Sequence, residues 1–242
     1  MDDAPYSRDV EVFSRLNERR RAVRTFDGTT VPDDVLRAIV AEAQLAPSSR
    51  NSQPYRFVCV RGLEQLAAIA PLCNGQAAAC SAAALIVVVT GKRFARETVD
   101  AWDRHLSTDC GLGDRSVAHY RAELRTSRLF LSIGSWPVWS PLLSVFGMFQ
   151  PTASLLPVGG TGIRHWTARN AMFAAQTLLL AASAYGIDTC PMEGFDAIKL
   201  RKALGLPRDS LIPLVIAVGR AAVDARIEPR WRKPIEDALV LL

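Results

Sequence analysis

The chain has 242 residues, 49% of them hydrophobic, so it is long enough to bury the core of one domain or of a closely packed pair. Charged residues make up 22% of the chain, which argues against intrinsic disorder. The net charge of +5 comes from scattered basic residues with one cluster at 19–24, which is less than the long basic face that nucleic-acid binding requires but suits a small anion such as a phosphate ester.

Apolar periodicity predicts two helices near the start of the chain. Residues 10–21 place their apolar side chains on one face, and residues 31–45 repeat the pattern after Pro32. The polar segment APSSRNSQPY at 46–55 then ends the helical pattern, and residues 55–60 favour a strand.

Two later segments are expected to be central strands. Residues 84–89 and 211–218 are nearly unbroken apolar runs, which are typical of strands buried on both faces. Helices are predicted at 63–72, 166–185 and 195–204. The helix at 166–185 carries one charge and is apolar nearly all round, so we expect it to be buried, in the core or between subunits.

Several functional motifs are absent from the sequence. It contains no GxGxxG, no Walker loop, no GxSxG and no HExxH, and its histidines at 105, 119 and 165 lie in unrelated contexts. A Rossmann dinucleotide site and a metal site are therefore not expected, while a Ser-His-Asp triad stays open.

The cysteines and the start of the chain indicate the compartment. The five cysteines are Cys59, Cys73, Cys80, Cys110 and Cys190. Their odd number and the lack of a CxxC pair indicate reduced thiols in a cytoplasmic protein. Residues 1–12 contain four acidic residues and lack the apolar core of a signal peptide, so no leader is expected.

An uncharged stretch runs from Leu129 to Ile163. Its length would allow it to span a bilayer. Glycine and proline interrupt it at Gly134, Pro137, Pro141, Gly147 and Pro151. A buried or partner-facing segment is therefore favoured over membrane insertion, which stays open as an alternative.

Four separated segments carry the functional argument. They are RRAVRTF at 20–26, APSSRNSQPY at 46–55, PMEGFD at 191–196 and RWRKP at 230–234. Their order and spacing resemble the nitroreductase family of FMN-binding flavoproteins. The resemblance implies an α+β fold with a central mixed or antiparallel sheet surrounded by helices, in an intertwined homodimer. It implies one domain over residues 1–242, with a variable substrate-covering insertion at about 91–164.

The arginines suit the phosphate of FMN, because guanidinium groups bind phosphate oxygens through paired, charge-assisted hydrogen bonds. The resemblance implies that Arg20, Arg230 and Arg232 meet on that phosphate. Arg24 would lie near the pyrimidine edge of the flavin, where a cation stabilises the negative charge of the reduced ring. A solvated surface charge is the alternative for each of these arginines.

The resemblance also implies the remaining flavin contacts. The loop at 46–55 would line the flavin, usually that of the neighbouring subunit, although it could be a plain turn. The backbone amides of Glu193 and Gly194 would face N5 and O4 of the ring, with an ordinary loop as the alternative. The other implied contacts are Arg21, Ala22, Pro47, Ser48, Ser49, Asn51 and Asn74.

The sequence departs from the family pattern in three places. Ala22 replaces the usual serine and removes a hydroxyl from the cofactor site, and Tyr55 replaces a tryptophan. Residues 91–164 have no clear counterpart. Four aromatic residues in that region could line a substrate pocket, or could be packed in the core or the dimer interface: Trp136, Trp139, Phe146 and Phe149.

The implied function is an FMN-dependent oxidoreductase. NAD(P)H would reduce the flavin by hydride transfer to N5, and a nitroaromatic or quinone-like acceptor would be reduced next, in a ping-pong sequence. The flavin carries this chemistry, so no catalytic side chain and no metal are expected. Two alternatives are a flavin-dependent dehydrogenase or oxidase of a biosynthetic pathway and a non-catalytic flavin-storage protein.

Overall fold

The computed structural model describes residues 7–108, 110–134, 136, 138–150, 152 and 158–242. The helices are α1 (Ser7–Arg19), α2 (Asp33–Gln44), α3 (Leu63–Ile69), α4 (Ala77–Ser81), α5 (Lys92–Leu106), α6 (Asp114–Ile133), α7 (Trp139–Phe149), α8 (Gly159–Ala184) and α9 (Ala197–Ala203). The strands are β1 (Tyr55–Val60), β2 (Ala84–Thr90), β3 (Asp188–Met192) and β4 (Leu211–Gly219). Short 3-10 turns occur at 49–51, 70–73 and 235–237.

The four strands form one sheet in the order β1-β2-β4-β3, and all three ladders are antiparallel. β2 is buried along its whole length, and β4 is buried over most of its length. Both were predicted from their apolar runs, and the prediction of an α+β fold is confirmed. The edge strands are β1 and β3.

Two hydrophobic cores cover the two faces of the sheet. Because side chains alternate along a strand, Leu85, Val87 and Val89 pack on one face against α3, α4 and α9. Ile86 and Val88 pack on the other face against α2 and α8. Helix α8 therefore buries one face against the sheet, whereas Phe173 on the same helix is 55% exposed, so the prediction of a buried helix is confirmed only in part.

A third, smaller cluster lies between α5 and α6, away from the sheet. Its buried members include Val99 of α5 and Leu124 of α6. Arg128 of α6 donates to Asp100 at 3.0 Å and to Asp103 at 2.9 Å, both on α5. The predicted insertion at 91–164 thus begins with two antiparallel helices, α5 and α6, that bury apolar side chains between them.

The strand β3 and the start of α8 differ from the prediction, and α4 and α7 were not predicted as helices. β3 was not predicted, because its sequence DTCPM contains Asp188 and Pro191, and proline is tolerated in a sheet only at an edge. Helix α8 begins at Gly159 rather than at 166, since a glycine-rich start reads as a loop. The Gly159 N–H donates to the Gly134 carbonyl at 2.6 Å and brings the ends of α6 and α8 together.

The described residues of the uncharged stretch fold largely into helices. The stretch contains the end of α6, the 11-residue α7 and the start of α8. Within the described ranges, no helix combines the length and apolarity that crossing a bilayer requires.

Candidate functional site

The segment RRAVRTF lies beside the outer edge of β3. The Val23 N–H donates to the Thr189 carbonyl at 3.0 Å, and Ala22 forms a parallel bridge with Thr189. Further on, Phe26 bridges Ala221 beyond the end of β4 and packs its ring on Gly219. These backbone contacts hold the arginines of this segment along one edge of the sheet.

The C-terminal tail returns to the same place. The Arg230 guanidinium donates to the Arg20 carbonyl at 2.7 Å and to the Glu18 carbonyl at 3.1 Å, and Arg21 donates to the Glu228 carbonyl. Burial lowers the pKa of Arg20, and the neighbouring cations Arg230 and Arg232 lower it further. The fold therefore collects several positive charges whose mutual repulsion an anion would relieve.

Arg24 lies further along the same edge. Its side chain is exposed, and its charge is close enough to oppose, in part, the rise in the pKa of the Cys190 thiol that burial causes. Cys190 is the middle residue of β3. Arg24 is thus beside the centre of the strand.

The loop that follows β3 meets the loop before α4. Gln76 Nε2 donates to the Gly194 carbonyl at 2.7 Å and to the Cys73 carbonyl at 3.1 Å. A Cβ at Gly194 would lie 3.6 Å from Asn74 Nδ2 and 3.4 Å from Gln76 Nε2. Two side-chain amides therefore converge on the Glu193–Gly194 backbone.

These groups form a strip along β3. The arginine cluster is at the start of the strand, Arg24 is beside its middle, and Gly194 with Asn74 is beyond its end. Five residues of extended strand cover about 17 Å. The strip thus offers positive charge at one end and amide groups at the other.

The loop APSSRNSQPY adopts an unusual backbone. Arg50, Asn51 and Gln53 have φ values of 54°, 50° and 38°. Left-handed backbone costs a non-glycine residue about 1–3 kcal/mol and persists only where the surroundings enforce it. Internal hydrogen bonds supply part of that support, since Ser48 Oγ accepts from the Gln53 N–H at 3.0 Å and Asn51 Oδ1 accepts from Gln53 Nε2 at 2.9 Å. Such stored strain is characteristic of a functional loop.

A buried asparagine of α8 anchors this loop. Asn170 Oδ1 accepts from the Ser49 N–H at 2.7 Å, and its Nδ2 donates to the Trp166 carbonyl at 2.8 Å. Sequence reasoning missed Asn170, although an asparagine in an apolar helix is a usable signal. It also missed Gln76, for which the sequence holds no comparable signal.

The loop and the arginine cluster lie at opposite corners of the sheet. The loop leads into β1, whose first residue Tyr55 is opposite Thr90, and Thr90 is opposite Leu211 at the start of β4. The arginine segment meets β3 and the far end of β4. Three strand spacings separate the edges by about 14 Å, and the nine residues of β4 span roughly 27 Å.

The aromatic residues predicted for a substrate pocket lie on and before α7. Trp136, Phe146 and Phe149 are 58%, 59% and 78% exposed, and Trp139 is half-buried. Two neighbouring cavities between α5, α6 and the 46–55 loop are lined by other residues, among them Trp102, Tyr120 and Trp166.

Comparison with known proteins shows similarity over most of the chain. Nitroreductase NfnB of Mycolicibacterium smegmatis is 32% identical over 216 residues, which cover 84% of this chain and 80% of that protein. NADH dehydrogenase of Thermus thermophilus is 28% identical over 218 residues, 90% of each chain. The fold is similar to that of a protein from Exiguobacterium sibiricum solved in complex with FMN, with a TM-score of 0.72 and 25% identity over 95% of this chain and 97% of that one.

The sequence profile of the nitroreductase family matches residues 18–220. This range contains the whole sheet, the 46–55 loop and the residues of the β3 strip other than Arg230 and Arg232 of the tail. The chain therefore belongs to the nitroreductase family.

Proposed function

We propose that the protein is an FMN-dependent oxidoreductase that takes electrons from NAD(P)H and passes them to a small aromatic or quinone-like acceptor. The observation that carries this proposal is the arginine cluster, in which Arg230 contacts the backbone of Arg20 across 210 positions of sequence. The like charges of this cluster repel one another, and a phosphate dianion would offset that repulsion. The names of the relatives from Mycolicibacterium smegmatis and Thermus thermophilus support the redox class and the donor.

In this proposal, different residues of the strip contact different parts of FMN. Arg20 and Arg232 bind its phosphate, and Arg230 chiefly positions the tail through its contacts with backbone carbonyls. Arg24 offers positive charge near the middle of the strip, where the ring's pyrimidine edge would lie. Gln76 holds the Gly194 carbonyl at the far end, and the Asn74 amide lies close to Gly194. When bound, FMN supplies the ring that accepts hydride and gives up electrons.

The second wall of the site comes, in this proposal, from a second copy of the chain. The 46–55 loop is at the opposite corner of its own sheet, so we infer that Pro47, Ser48, Ser49 and Asn51 serve the partner's FMN. Exposed apolar side chains support a dimer, because patches of this kind mark interaction sites. Four that are more than half exposed are Val10 and Phe13 of α1 and Trp231 and Leu239 of the tail.

The first test is the flavin content and turnover of the purified protein. It should be yellow with about one FMN per subunit, and it should oxidise NAD(P)H only when a quinone or nitroaromatic is added. Absorbance of the released flavin and the rate of NAD(P)H loss measure both properties. A yellow protein without turnover would indicate flavin storage, and a colourless protein that takes up no FMN would contradict the proposal.

We further propose that the exposed face around α7 covers the outer side of the acceptor site. Trp136→Ala and Trp139→Ala should then raise KM for aromatic acceptors several-fold, with FMN affinity unchanged, because pockets for such ligands are mostly apolar. Leu63 is 88% exposed on α3, outside this face, so Leu63→Ala is the control. Steady-state kinetics with two acceptors measures the effect, and equal KM values in all variants would remove these tryptophans from the site.

A further inference from the structure

Two adjoining cavities lie behind the 46–55 loop. The outer chamber has a volume of about 310 Å³, and the inner chamber has about 160 Å³. Arg50, Val99 and Ser127 line both chambers, so the two chambers meet at these residues. Together they form a site that the strip along β3 does not use.

The outer chamber suits a flat apolar molecule. Trp102 of α5 and Tyr120 of α6 stand at its wall with ring centroids 5.5 Å apart in an edge-to-face arrangement. Its charged groups are balanced, since Arg50 Nε lies 3.7 Å from Glu123 Oε2. The chamber therefore favours an uncharged ligand over an anion or a cation.

The inner chamber contains hydroxyl groups in apolar surroundings. Its walls include Phe130, Leu131 and Trp166, together with Ser52 and Ser127. Ser52 is 4% exposed, and among the described residues its Oγ has no hydrogen-bond partner. Ser127 is 8% exposed. A buried hydroxyl without a partner is unfavourable, and a ligand atom that accepts its hydrogen bond would remove the penalty.

We propose that this two-chambered cavity binds an uncharged quinone, with the ring in the outer chamber and a carbonyl oxygen accepting from Ser52 and Ser127 in the inner one. The assignment of the quinone as acceptor rests on the proposed function, but its binding does not. As acceptor it would take two electrons and two protons in all, a hydride from NAD(P)H and a proton from solvent, and become a hydroquinone.

The cavity also lies against the loop that the proposed function assigns to the flavin. Ser49 and Arg50 line the inner chamber, and Asn51 lines the outer one. A nitroaromatic fits the same shape, but its oxygens are weaker acceptors and gain less from two hydroxyl donors. The two serine hydroxyls therefore favour an acceptor that carries a quinone carbonyl over one that carries a nitro group.

The test uses the purified full chain with the flavin it retains and no NAD(P)H. 2,3-Dimethyl-1,4-naphthoquinone, which cannot add thiols at its blocked ring positions, is titrated while tryptophan fluorescence is recorded. Ser52→Ala and Ser127→Ala should each weaken its binding about 2- to 12-fold, the range for one neutral hydrogen bond. Binding of 2,3-dimethylnaphthalene, which has no acceptor oxygen, should not change. Ser116→Ala, at an exposed position of α6, is the matched control.

The melting temperature of the Ser52→Ala protein provides an independent test of the proposal. Ser52→Ala should not lower the melting temperature without ligand, because the hydroxyl that it removes has no partner among the described residues. A lower melting temperature, or unchanged quinone affinity in both serine variants, would overturn the proposal. So would an equal loss for the hydrocarbon, or a loss for 1-nitronaphthalene as large as that for the quinone. A protein that takes up no FMN but still binds the quinone through Ser52 and Ser127 would refute the proposed function and leave this site intact.

Discussion

Arg20→Ala and Arg232→Ala proteins should bind FMN far more weakly than the wild type while they retain its affinity for riboflavin. Removing one charged hydrogen-bonding group costs about 1.5–3 kcal/mol, or roughly 10- to 150-fold in affinity. Riboflavin lacks the phosphate, so its affinity should be unchanged within error. Titration of flavin-free protein followed by flavin fluorescence measures both constants.

A control of equal charge separates this effect from a general loss of positive potential. Arg208, in the loop before β4, is exposed and lies outside the cluster, so Arg208→Ala should leave both affinities unchanged. Raising the salt concentration should weaken FMN binding by the wild type and reduce the difference between wild type and Arg232→Ala. Equal losses of FMN and riboflavin would place the phosphate elsewhere.

The structure also separates Arg230 from its two neighbours. Its guanidinium already donates to the carbonyls of Glu18 and Arg20, so Arg230→Ala should release the tail as well as remove a charge. We therefore expect it to weaken riboflavin binding too, unlike Arg20→Ala. That difference would support a positioning role for Arg230.

The sheet was predictable where burial dictates composition. β2 and β4 lie at the centre of the sheet, so both of their faces select apolar residues and the sequence shows an unbroken run. β3 lies at an edge, where one side has no strand neighbour and Pro191 is tolerated, and so its sequence resembles a loop. The prediction failed at that strand because an edge position admits Asp188 and Pro191, which break the apolar pattern, although no residue of the strand is exposed.

The candidate site was predictable only in its motifs. The Arg20 and Arg230 segments stand out as sequence, but their contact depends on the path of the whole chain and follows from no local rule. The left-handed backbone of Arg50 and Gln53 could not be predicted from the sequence either, because neither residue type favours it. The cavity behind the loop depends on how α5 and α6 are placed, which composition does not determine.

Two defective chains should restore one good site when they form a heterodimer. Arg232→Ala damages the phosphate end of the strip, and Ser49→Trp fills the loop wall with a large side chain. Each homodimer should hold little FMN. In the heterodimer, one site should combine the intact arginines of the Ser49→Trp chain with the intact loop of the Arg232→Ala chain. The other site should carry both defects, so we expect one FMN per dimer with wild-type affinity.

The reason is the separation of the two motifs within one chain. About 14 Å across the sheet and roughly 27 Å along it lie between the loop end of β1 and the arginine end of β3. An FMN bound along β3 stays on that edge, so about 14 Å of sheet separates even its ring end from the loop of the same chain. A second copy can bring its own loop to the strip. Heterodimers isolated with two different tags, then titrated with FMN, provide the measurement, and sedimentation checks that each preparation is a dimer. If both motifs served one FMN in the same chain, every site of the heterodimer would carry a single defect, and no site of wild-type affinity would be found.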